Sequence, residues 1–330
     1  MQHRPLGRTG RHVSAIGLGT WQLGADWGDV SEDDALAVLE ASVDQGVTLF
    51  DTADVYGDGR SESLIGRFLA ARPGHAITVA TKMGRRAEQR AENYTPEAFR
   101  AWNDRSRANL GVETLDLVQL HCPPTEVIES DAVYDALDEL VADGRIAAYG
   151  VSVETAAQAL AAIARPHVTN VQIIFNPFRL KPLDEVLPAA AAAQVAVFAR
   201  VPLASGLLSG KYTSETAFAE NDHRSYNRHG EAFDRGETFS GVDYDTGLAA
   251  ASELARAVPD GVSLPAATLA WIASQPGVTT VIPGARNVAQ ATSNAEAGAL
   301  LDGGADLSGF DAAVHEIYDR HLRAAIHPLW

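Results

Sequence analysis

Short apolar runs and amphipathic runs alternate along almost the whole chain, and this rhythm limits the folds that the chain can adopt. Most of the apolar runs are continuously hydrophobic, as expected for parallel strands that are covered on both faces. The amphipathic runs between them predict helices. The eight predicted strands read HVSAIGLGT, VTLFDTA, ITVATK, LDLVQLH, IAAYGVSV, VTNVQIIFN, VAVFARV and TTVIPGA.

Eight strands that alternate with helices leave two main architectures, a closed (β/α)8 TIM barrel and an open, doubly wound sheet. The doubly wound fold predicts a G-x-G-x-x-G turn after the first strand, but the chain has IGLGTWQLG there, which lacks that spacing. The barrel is therefore favoured. Because α/β barrels of this size commonly form one unit, we predict a single domain over residues 1–330.

The predicted helices carry recognisable start and stop signals. Ser31 precedes an acidic first turn, as an N-cap residue does, and Gly46 ends the same helix. Thr95 and Pro96 open a later helix that ends at Gly111. These signals place the helices between the strands, as the barrel requires.

Two segments interrupt the rhythm. Residues 1–11 come before the first strand and contain a Gly-centred turn, which predicts a hairpin that closes the bottom of the barrel. Residues 205–245 follow the seventh strand and are long, polar and aperiodic. A loop of this length is more often functional or mobile than structural, and the sequence alone does not predict its position.

The charge balance excludes some partners. Lys plus Arg is 26 and Asp plus Glu is 43, a net charge of −17, which argues against a nucleic-acid or anionic-membrane partner. Cys122 is the single cysteine, which fits a reducing compartment. The first residues lack the apolar core of a signal peptide, and no stretch approaches the ~18 apolar residues of a membrane span. We therefore expect a cytoplasmic protein, of an oligomeric state that the sequence does not predict.

Four polar side chains stand just past the ends of successive predicted strands. Asp51 and Tyr56 follow the second strand, Lys82 closes the third and His121 closes the fourth. Each alone has an ordinary explanation, such as a turn cap, but the carboxyl ends of barrel strands meet at one face, so together they predict one site. A phenol, a cation that lowers its pKa, an acid that holds the cation and a donor to the substrate oxygen suit carbonyl reduction. No metal is expected.

These segments closely resemble the aldo-keto reductase family. The likeness runs from Leu6 to about Gly298 and includes several separate motifs in the family's order. It implies a (β/α)8 barrel that reduces aldehydes and ketones with NADPH, leaving NADP+. The matching segments are FDTADVYGDGRSESLIG and TKMG around the catalytic Asp, Tyr and Lys, LDLVQLHCPP around the catalytic His, and VIPGARNVAQATSN in the cofactor-binding region.

The resemblance implies a role for each of the four residues. Tyr56 is the expected general acid, although an unperturbed phenol with a pKa near ~10 is a poor donor at neutral pH. Lys82 is expected to lower that pKa by favouring the phenolate. Asp51 pairs with Lys82 and holds its ammonium in place, and His121 polarises and orients the substrate carbonyl.

The resemblance also implies the cofactor residues. Ser152 and Gln172 correspond to the groups that hold the nicotinamide carboxamide. Arg286 suits a 2′-phosphate because its guanidinium presents forked donors. The remaining positions are Pro202, Leu203, Gly206 and Lys211 in a loop that passes over the pyrophosphate, and Gly284, Gln290 and Asn294 at and within the last helix.

Two positions depart from the family pattern. Many members carry Asn where this chain has Val153, and many place an aromatic ring under the nicotinamide where this chain has Arg200. A planar guanidinium can stack on a ring, so we interpret Arg200 as a cofactor contact, with an ion pair to a nearby acid as the alternative. Trp21, at the end of the first strand, is the candidate for the substrate pocket.

The leading interpretation is an NADPH-dependent reductase that acts on a small-molecule carbonyl compound. The alternative is a regulatory subunit that keeps the barrel and the cofactor but has little physiological turnover, as some relatives do. A barrel aldolase with Lys82 as Schiff base is disfavoured, because a lysine paired with Asp51 stays protonated and is a poor nucleophile.

Overall fold

The computed structural model describes residues 1–24, 30–74, 76–220 and 222–330, and it contains the predicted barrel. The chain begins with an antiparallel hairpin of two short strands, β1 (His3–Pro5) and β2 (His12–Ser14). Eight parallel strands follow, each paired with the next along the chain. They are β3 (Leu18–Gly19), β4 (Leu49–Asp51), β5 (Thr78–Met83), β6 (Leu117–His121), β7 (Tyr149–Ser152), β8 (Val168–Ile174), β9 (Ala196–Arg200) and β10 (Thr280–Val281).

Two parallel bridges close the ring of strands. Ile16 pairs with Val281, and Gly19 pairs with Gly284, so the first and last barrel segments are neighbours. The register then sets which residues share a level, since His121 pairs with Ser152 and Ser152 with Gln172. The prediction of a (β/α)8 barrel is confirmed.

Helices surround the barrel and follow the strands, as the sequence rhythm predicts. Short 3-10 turns lie at Trp21–Gly24, Ala91–Asn93, Ala204–Ser209, Arg235–Glu237 and Phe239–Gly241, and one π-helical turn at Tyr318–Leu322. The α-helices are α1 (Glu32–Asp44), α2 (Arg60–Ala70), α3 (Pro96–Leu110), α4 (Thr125–Ile128), α5 (Asp131–Ala142), α6 (Ala156–Ile163), α7 (Lys181–Asp184), α8 (Val186–Ala193), α9 (His223–Tyr226), α10 (Tyr244–Ala255), α11 (Leu264–Ser274), α12 (Val288–Asp302), α13 (Ser308–Ile317) and α14 (Arg323–Ile326).

The predicted helix signals act as caps. The Ser31 hydroxyl accepts a hydrogen bond from the Asp34 amide, and α1 begins at the next residue. The Thr95 hydroxyl caps α3 in the same way, with Pro96 at its first position. Gly111 ends α3 with a φ of +67°, a left-handed conformation that glycine adopts at low cost.

The N-terminal hairpin closes the bottom of the barrel. Leu6 and Val13 are buried and belong to a small apolar cluster that is separate from the main hydrophobic core. The other members of that cluster come from the barrel strands or the turns next to them, among them Leu49, Leu117 and Phe198. Because these strand residues point into the barrel, the hairpin seals the end opposite to the site.

The long segment between β9 and α10 is built from short helical turns instead of a regular helix. It contains α9 and three of the 3-10 turns, and its residue Asn221 lies outside the described part of the chain. Buried residues such as His223 and Phe239 attach it to the barrel. Within the described ranges, no helix is both long and apolar enough to cross a membrane.

We predict that Leu6→Ala lowers the free energy of unfolding by about 2–5 kcal/mol, because it leaves a cavity in the plug at the bottom of the barrel. Urea-induced unfolding, followed by circular dichroism, measures the change. Leu329→Ala is the matched control, because Leu329 is 46 % exposed. Equal stability of the two variants would show that the hairpin does not seal the core.

Candidate active site

The site is organised around the ammonium of Lys82, which is buried at the end of β5. Its Nζ donates to Asp51 Oδ2 at 2.6 Å and to the Thr52 carbonyl oxygen at 2.9 Å. It also donates to the hydroxyl oxygen of Tyr56 at 3.3 Å. Three acceptors therefore surround the ammonium, as a buried cation requires, and the predicted group of Asp51, Tyr56 and Lys82 comes together.

The second carboxylate oxygen of Asp51 is held by amides inside the barrel. Gln172 Nε2 donates to Asp51 Oδ1 at 2.7 Å, and Gln119 Nε2 donates to it at 3.1 Å. Gln172 was predicted to contact the carboxamide of the nicotinamide, and in the structure its side-chain amide donates to Asp51. Gln119 was not predicted, although a glutamine inside the otherwise apolar strand LDLVQL is a visible signal.

Tyr56 is positioned by close backbone packing. A Cβ on Gly24 would lie 2.7 Å from the amide nitrogen of Gly57, so two glycines let these turns touch. The ring of Tyr56 stacks with that of Trp21, whose centroid is 5.9 Å away. Trp21, the predicted substrate-pocket residue, therefore stands directly beside the candidate proton donor.

Burial and charge act in opposite directions on the phenol. Burial raises the pKa of Tyr56 above its usual value, and the neighbouring Lys82 opposes that rise. Lys82 therefore lowers the pKa of the Tyr56 phenol, as expected, but burial outweighs this effect and the pKa is raised overall. Burial alone would lower the pKa of Lys82, but Asp51 and Tyr56 together raise it, so Lys82 stays protonated at neutral pH.

His121 lies at the end of β6, on the other side of Tyr56. The two rings meet edge to face, with centroids 6.0 Å apart. Burial, followed by the positive charges of Arg85, Lys82 and Arg200, lowers the pKa of His121 well below its usual value. The imidazole is therefore neutral at neutral pH, which leaves it one N–H to donate and makes it a poor proton source.

A groove runs from this group toward the start of α12. Its volume is about 560 Å³, within the range of small-molecule and cofactor sites. Ser152 is absent from its described lining and instead lies with its hydroxyl 3.4 Å from the Cys122 sulfur. The predicted residues that do line the groove are Trp21, Asp51, Tyr56, Gln172, Arg200, Pro202, Leu203, Gly206, Lys211, Gly284, Arg286, Gln290 and Asn294.

Comparison with known proteins assigns the family. The sequence model of the Aldo/keto reductase family matches residues 15–303, which is most of the chain. The chain belongs to the aldo/keto reductase family. It is accordingly an NAD(P)-dependent oxidoreductase, and carbonyl reduction is its general chemistry.

Individual members are similar along nearly their whole length. The structure of the glycerol dehydrogenase AKR11B4 from Gluconobacter oxydans matches with a TM-score of 0.77 and 30% identity, covering 97% of this chain and 96% of that one. The aldo-keto reductase yakc of Schizosaccharomyces pombe, named for NADP(+), is 30% identical over 84% of this chain and 81% of its own. A probable voltage-gated potassium channel subunit beta of Oryza sativa subsp. japonica is 30% identical over 90% and 91%.

The far end of the groove of this aldo/keto reductase is formed by the start of α12. The Asn287 side chain caps the helix by accepting from the Gln290 amide. Gln290 Oε1 in turn accepts from the Arg286 amide at 2.8 Å, and Asn294 Nδ2 donates to the Gly284 carbonyl at 3.0 Å. These bonds fix the turn from which the exposed Arg286 side chain projects.

Arg200 is held by acids, which is the alternative that its sequence context left open. Its Nη2 donates to Glu154 Oε2 at 2.8 Å and to the Val153 carbonyl at 3.0 Å. Its Nη1 lies 2.7 Å from Glu237 Oε2. Arg200 still lines the groove, so a cofactor contact stays a prediction, but neither acid was identified from the sequence.

Asp54 is a buried carboxyl that the sequence analysis did not select. It lies between Asp51 and Tyr56 in the chain, is fully buried, and neither oxygen has a well-formed hydrogen bond within the described structure. Burial, and then the negative charge of the buried Glu62, raise its pKa from 3.8 to about 7, against the weaker pull of two arginines. The turn that carries Tyr56 thus contains an acid that is easily protonated.

We predict that Asp54→Asn stabilises the protein at pH 8 by up to roughly 4 kcal/mol. The folded state holds the Asp54 proton more tightly than the unfolded chain, so stability falls as the pH rises from about 4 to about 7 and stays reduced above that. Asparagine removes this loss, and urea unfolding at pH 4.5 and pH 8 measures it.

Asp58→Asn is the matched control, since it changes an exposed carboxylate of the same turn. This control is expected to show no gain at pH 8. A stability difference between Asp54→Asn and wild type that is the same at both pH values would contradict the raised pKa.

Proposed function

We propose that the chain reduces an aldehyde or ketone to an alcohol with NADPH, and that Tyr56 is the general acid. The observation that carries the proposal is the position of the Lys82 ammonium, which bonds Asp51 and the Tyr56 hydroxyl at once. A cation on the phenol oxygen stabilises the phenolate that forms when the proton leaves. Cofactor binding and proton donation are assigned to different parts of the groove, because the predicted cofactor residues other than Ser152 lie along it and Tyr56 lies at its inner end.

The groove suits a dinucleotide phosphate. Lys211 and Arg286 line it, and α12 directs its N-terminus toward it, so local positive charge is available in a chain of net charge −17. Gly284 lines the groove and has no side chain to cover its backbone groups, which therefore reach the groove surface. The relative yakc is itself named for NADP(+).

The residues of the chain divide the chemistry among them. NADPH bound in this groove supplies the hydride. The Tyr56 hydroxyl gives its proton to the carbonyl oxygen, while Lys82 stabilises the phenolate and Asp51 keeps the ammonium in place. The neutral His121 donates a hydrogen bond to the same oxygen, which orients the carbonyl and stabilises its developing negative charge. Trp21 forms an apolar wall beside the reacting group.

An aldolase reaction does not fit this geometry. A Schiff base requires a neutral lysine, but Asp51 and Tyr56 raise the pKa of Lys82. The second candidate function is a regulatory, cofactor-binding subunit, which the similarity to a potassium channel subunit beta favours. NADPH oxidation with a panel of aldehydes and ketones separates the two, because a regulatory subunit binds NADPH without appreciable turnover.

We predict that Tyr56→Phe lowers kcat by roughly 10²–10⁴, because the general acid is lost. NADPH affinity should stay within a few-fold, since the phenol hydroxyl serves the substrate. Steady-state kinetics and a fluorescence titration measure the two effects. Tyr134→Phe removes a phenol on α5, away from the groove, and should keep wild-type turnover. Wild-type turnover of Tyr56→Phe would exclude Tyr56 as the proton donor.

We predict that Arg286→Ala weakens NADPH binding by on the order of ten- to hundred-fold, because charge-assisted hydrogen bonds to phosphate contribute roughly 1.5–3 kcal/mol each. NADH binding should change little, since NADH lacks the 2′-phosphate. Arg320→Ala is the control for lost positive charge, because Arg320 is exposed and is not among the described residues that line the groove. Equal losses for both cofactors would mean that Arg286 does not read the 2′-phosphate.

A further inference from the structure

Four charged residues form one cluster at the carboxyl ends of the barrel strands. Arg200 lies 2.8 Å from Glu154 and 2.7 Å from Glu237. Arg85 contacts the same two acids, at 3.1 Å from Glu154 and 3.5 Å from Glu237. Two positive and two negative charges therefore cancel in this Arg85–Glu154–Arg200–Glu237 cluster, and the Arg200 and Glu237 side chains are each only 8% exposed.

The four residues come from different parts of the chain. Arg85 follows β5, Glu154 follows β7 and Arg200 ends β9, so three members belong to the barrel. Glu237 belongs to the long segment between β9 and α10, residues 201–243. It thus connects the charges of this segment to the two arginines of the barrel. Losing it would leave the two guanidinium groups of Arg85 and Arg200 with a single acid, Glu154, between them, which is costly for buried charges.

The backbone on both sides of this contact is strained. Val201 and Ser205 on one side, and Phe239 and Ser240 on the other, have φ values between +52° and +58°. A positive φ is a genuine outlier for a β-branched residue such as Val201, and costs of this kind persist only where the surroundings impose them. The Ser205 hydroxyl joins the two sides, because it donates to the Glu237 carbonyl and accepts from the Phe239 amide, both at 3.0 Å.

The same contact forms part of the groove wall. Arg200, Val201, Ser205 and Glu237 all line the groove, next to the predicted pyrophosphate loop. The guanidinium of Arg200 belongs to the last residue of β9 and lines the groove. Its Nη2 donates to the Val153 carbonyl and to Glu154, and its Nη1 forms an ion pair with Glu237. Glu237 therefore holds in place both Arg200, which lines the groove, and the 201–243 segment to which Glu237 itself belongs.

We propose that Glu237 is a positioning residue that acts through Arg200, coupling the closure of the 201–243 segment to retention of the cofactor. It holds the Arg200 guanidinium at the nicotinamide end of the groove and fastens the segment to that guanidinium. Release of the cofactor then requires this ion pair to open. The part of the inference that concerns cofactor retention rests on the proposed use of NADPH. The attachment of the segment to Arg200 through Glu237 does not depend on it.

The test compares Glu237→Gln with Glu253→Gln. Glu253 forms a more exposed ion pair, 2.6 Å from Arg320, and neither residue is among the described residues that line the groove. Hydrogen–deuterium exchange of residues 201–243 is measured without cofactor, and the NADPH dissociation rate is measured by stopped-flow fluorescence. We expect Glu237→Gln to speed exchange of the segment and to raise the dissociation rate roughly ten-fold or more, because the ion pair with the buried Arg200 is lost. Glu253→Gln should match the wild type in both.

The two proposals fail in different ways. Wild-type exchange and wild-type NADPH release in Glu237→Gln would overturn the role of Glu237 while leaving NADPH binding intact. Failure of the wild-type protein to bind NADPH would instead remove the proposed function, and with it the coupling to cofactor retention. Exchange of residues 201–243 in the cofactor-free protein then still decides whether Glu237 fastens the segment.

A second variant covers the case in which Glu237→Gln does not fold. The double variant Arg200→Met/Glu237→Met removes one charge of each sign and leaves Arg85 paired with Glu154, so no buried charge loses its partner. We expect it to fold, with fast exchange in the segment and fast NADPH release. Glu237→Asp keeps the carboxylate and should recover most of the retention. Slow release from the double variant, or no recovery in Glu237→Asp, would overturn the proposal.

Discussion

The burial of one ammonium group constrains the rest of the site. Lys82 is almost completely buried, and a buried charge is tolerated only with close partners of opposite sign or strong acceptors. Asp51 supplies the negative charge, and two glutamines inside the barrel occupy its other oxygen. The parallel register brings these groups to one end of the barrel, so the closed fold is what makes the ion pair possible. The ion pair in turn fixes the cation beside the phenol of Tyr56.

Two carboxyl groups three residues apart show how strongly the surroundings decide charge. Asp51 faces the ammonium of Lys82 and two amide donors, whereas Asp54 is buried near the acid Glu62. The pKa of Asp54 accordingly rises to about 7. The same short turn therefore places one acid where it organises the site and another where ionisation disfavours the fold. A sequence motif that contains both acids does not distinguish them, because the difference lies in their distant neighbours.

The sequence predicted the features that depend on repeated local patterns or on residues at the ends of strands. Apolar runs, caps and the missing G-x-G-x-x-G turn predicted the barrel, and strand ends predicted the group of Asp51, Tyr56 and Lys82. It was insufficient where partners come from an aperiodic segment. Glu237 is an acid among several in a polar stretch, and only the folded chain shows that it meets Arg200. Glu154 is close to a strand end, but its sequence context does not reveal which cation it holds.

The guanidinium of Arg200 at the end of β9 constrains the wall of the groove around it. A buried apolar side chain needs only apolar neighbours, whereas the buried Arg200 needs acids. One of its two acids, Glu237, comes from the 201–243 segment. The groove wall and that segment therefore cannot be built independently in this chain. Strained residues lie on both sides of their junction, so the ion pairs hold a backbone that local preferences disfavour. The ion pairs of Arg200 therefore connect the end of β9 to the 201–243 segment, and both contribute to the wall of the groove.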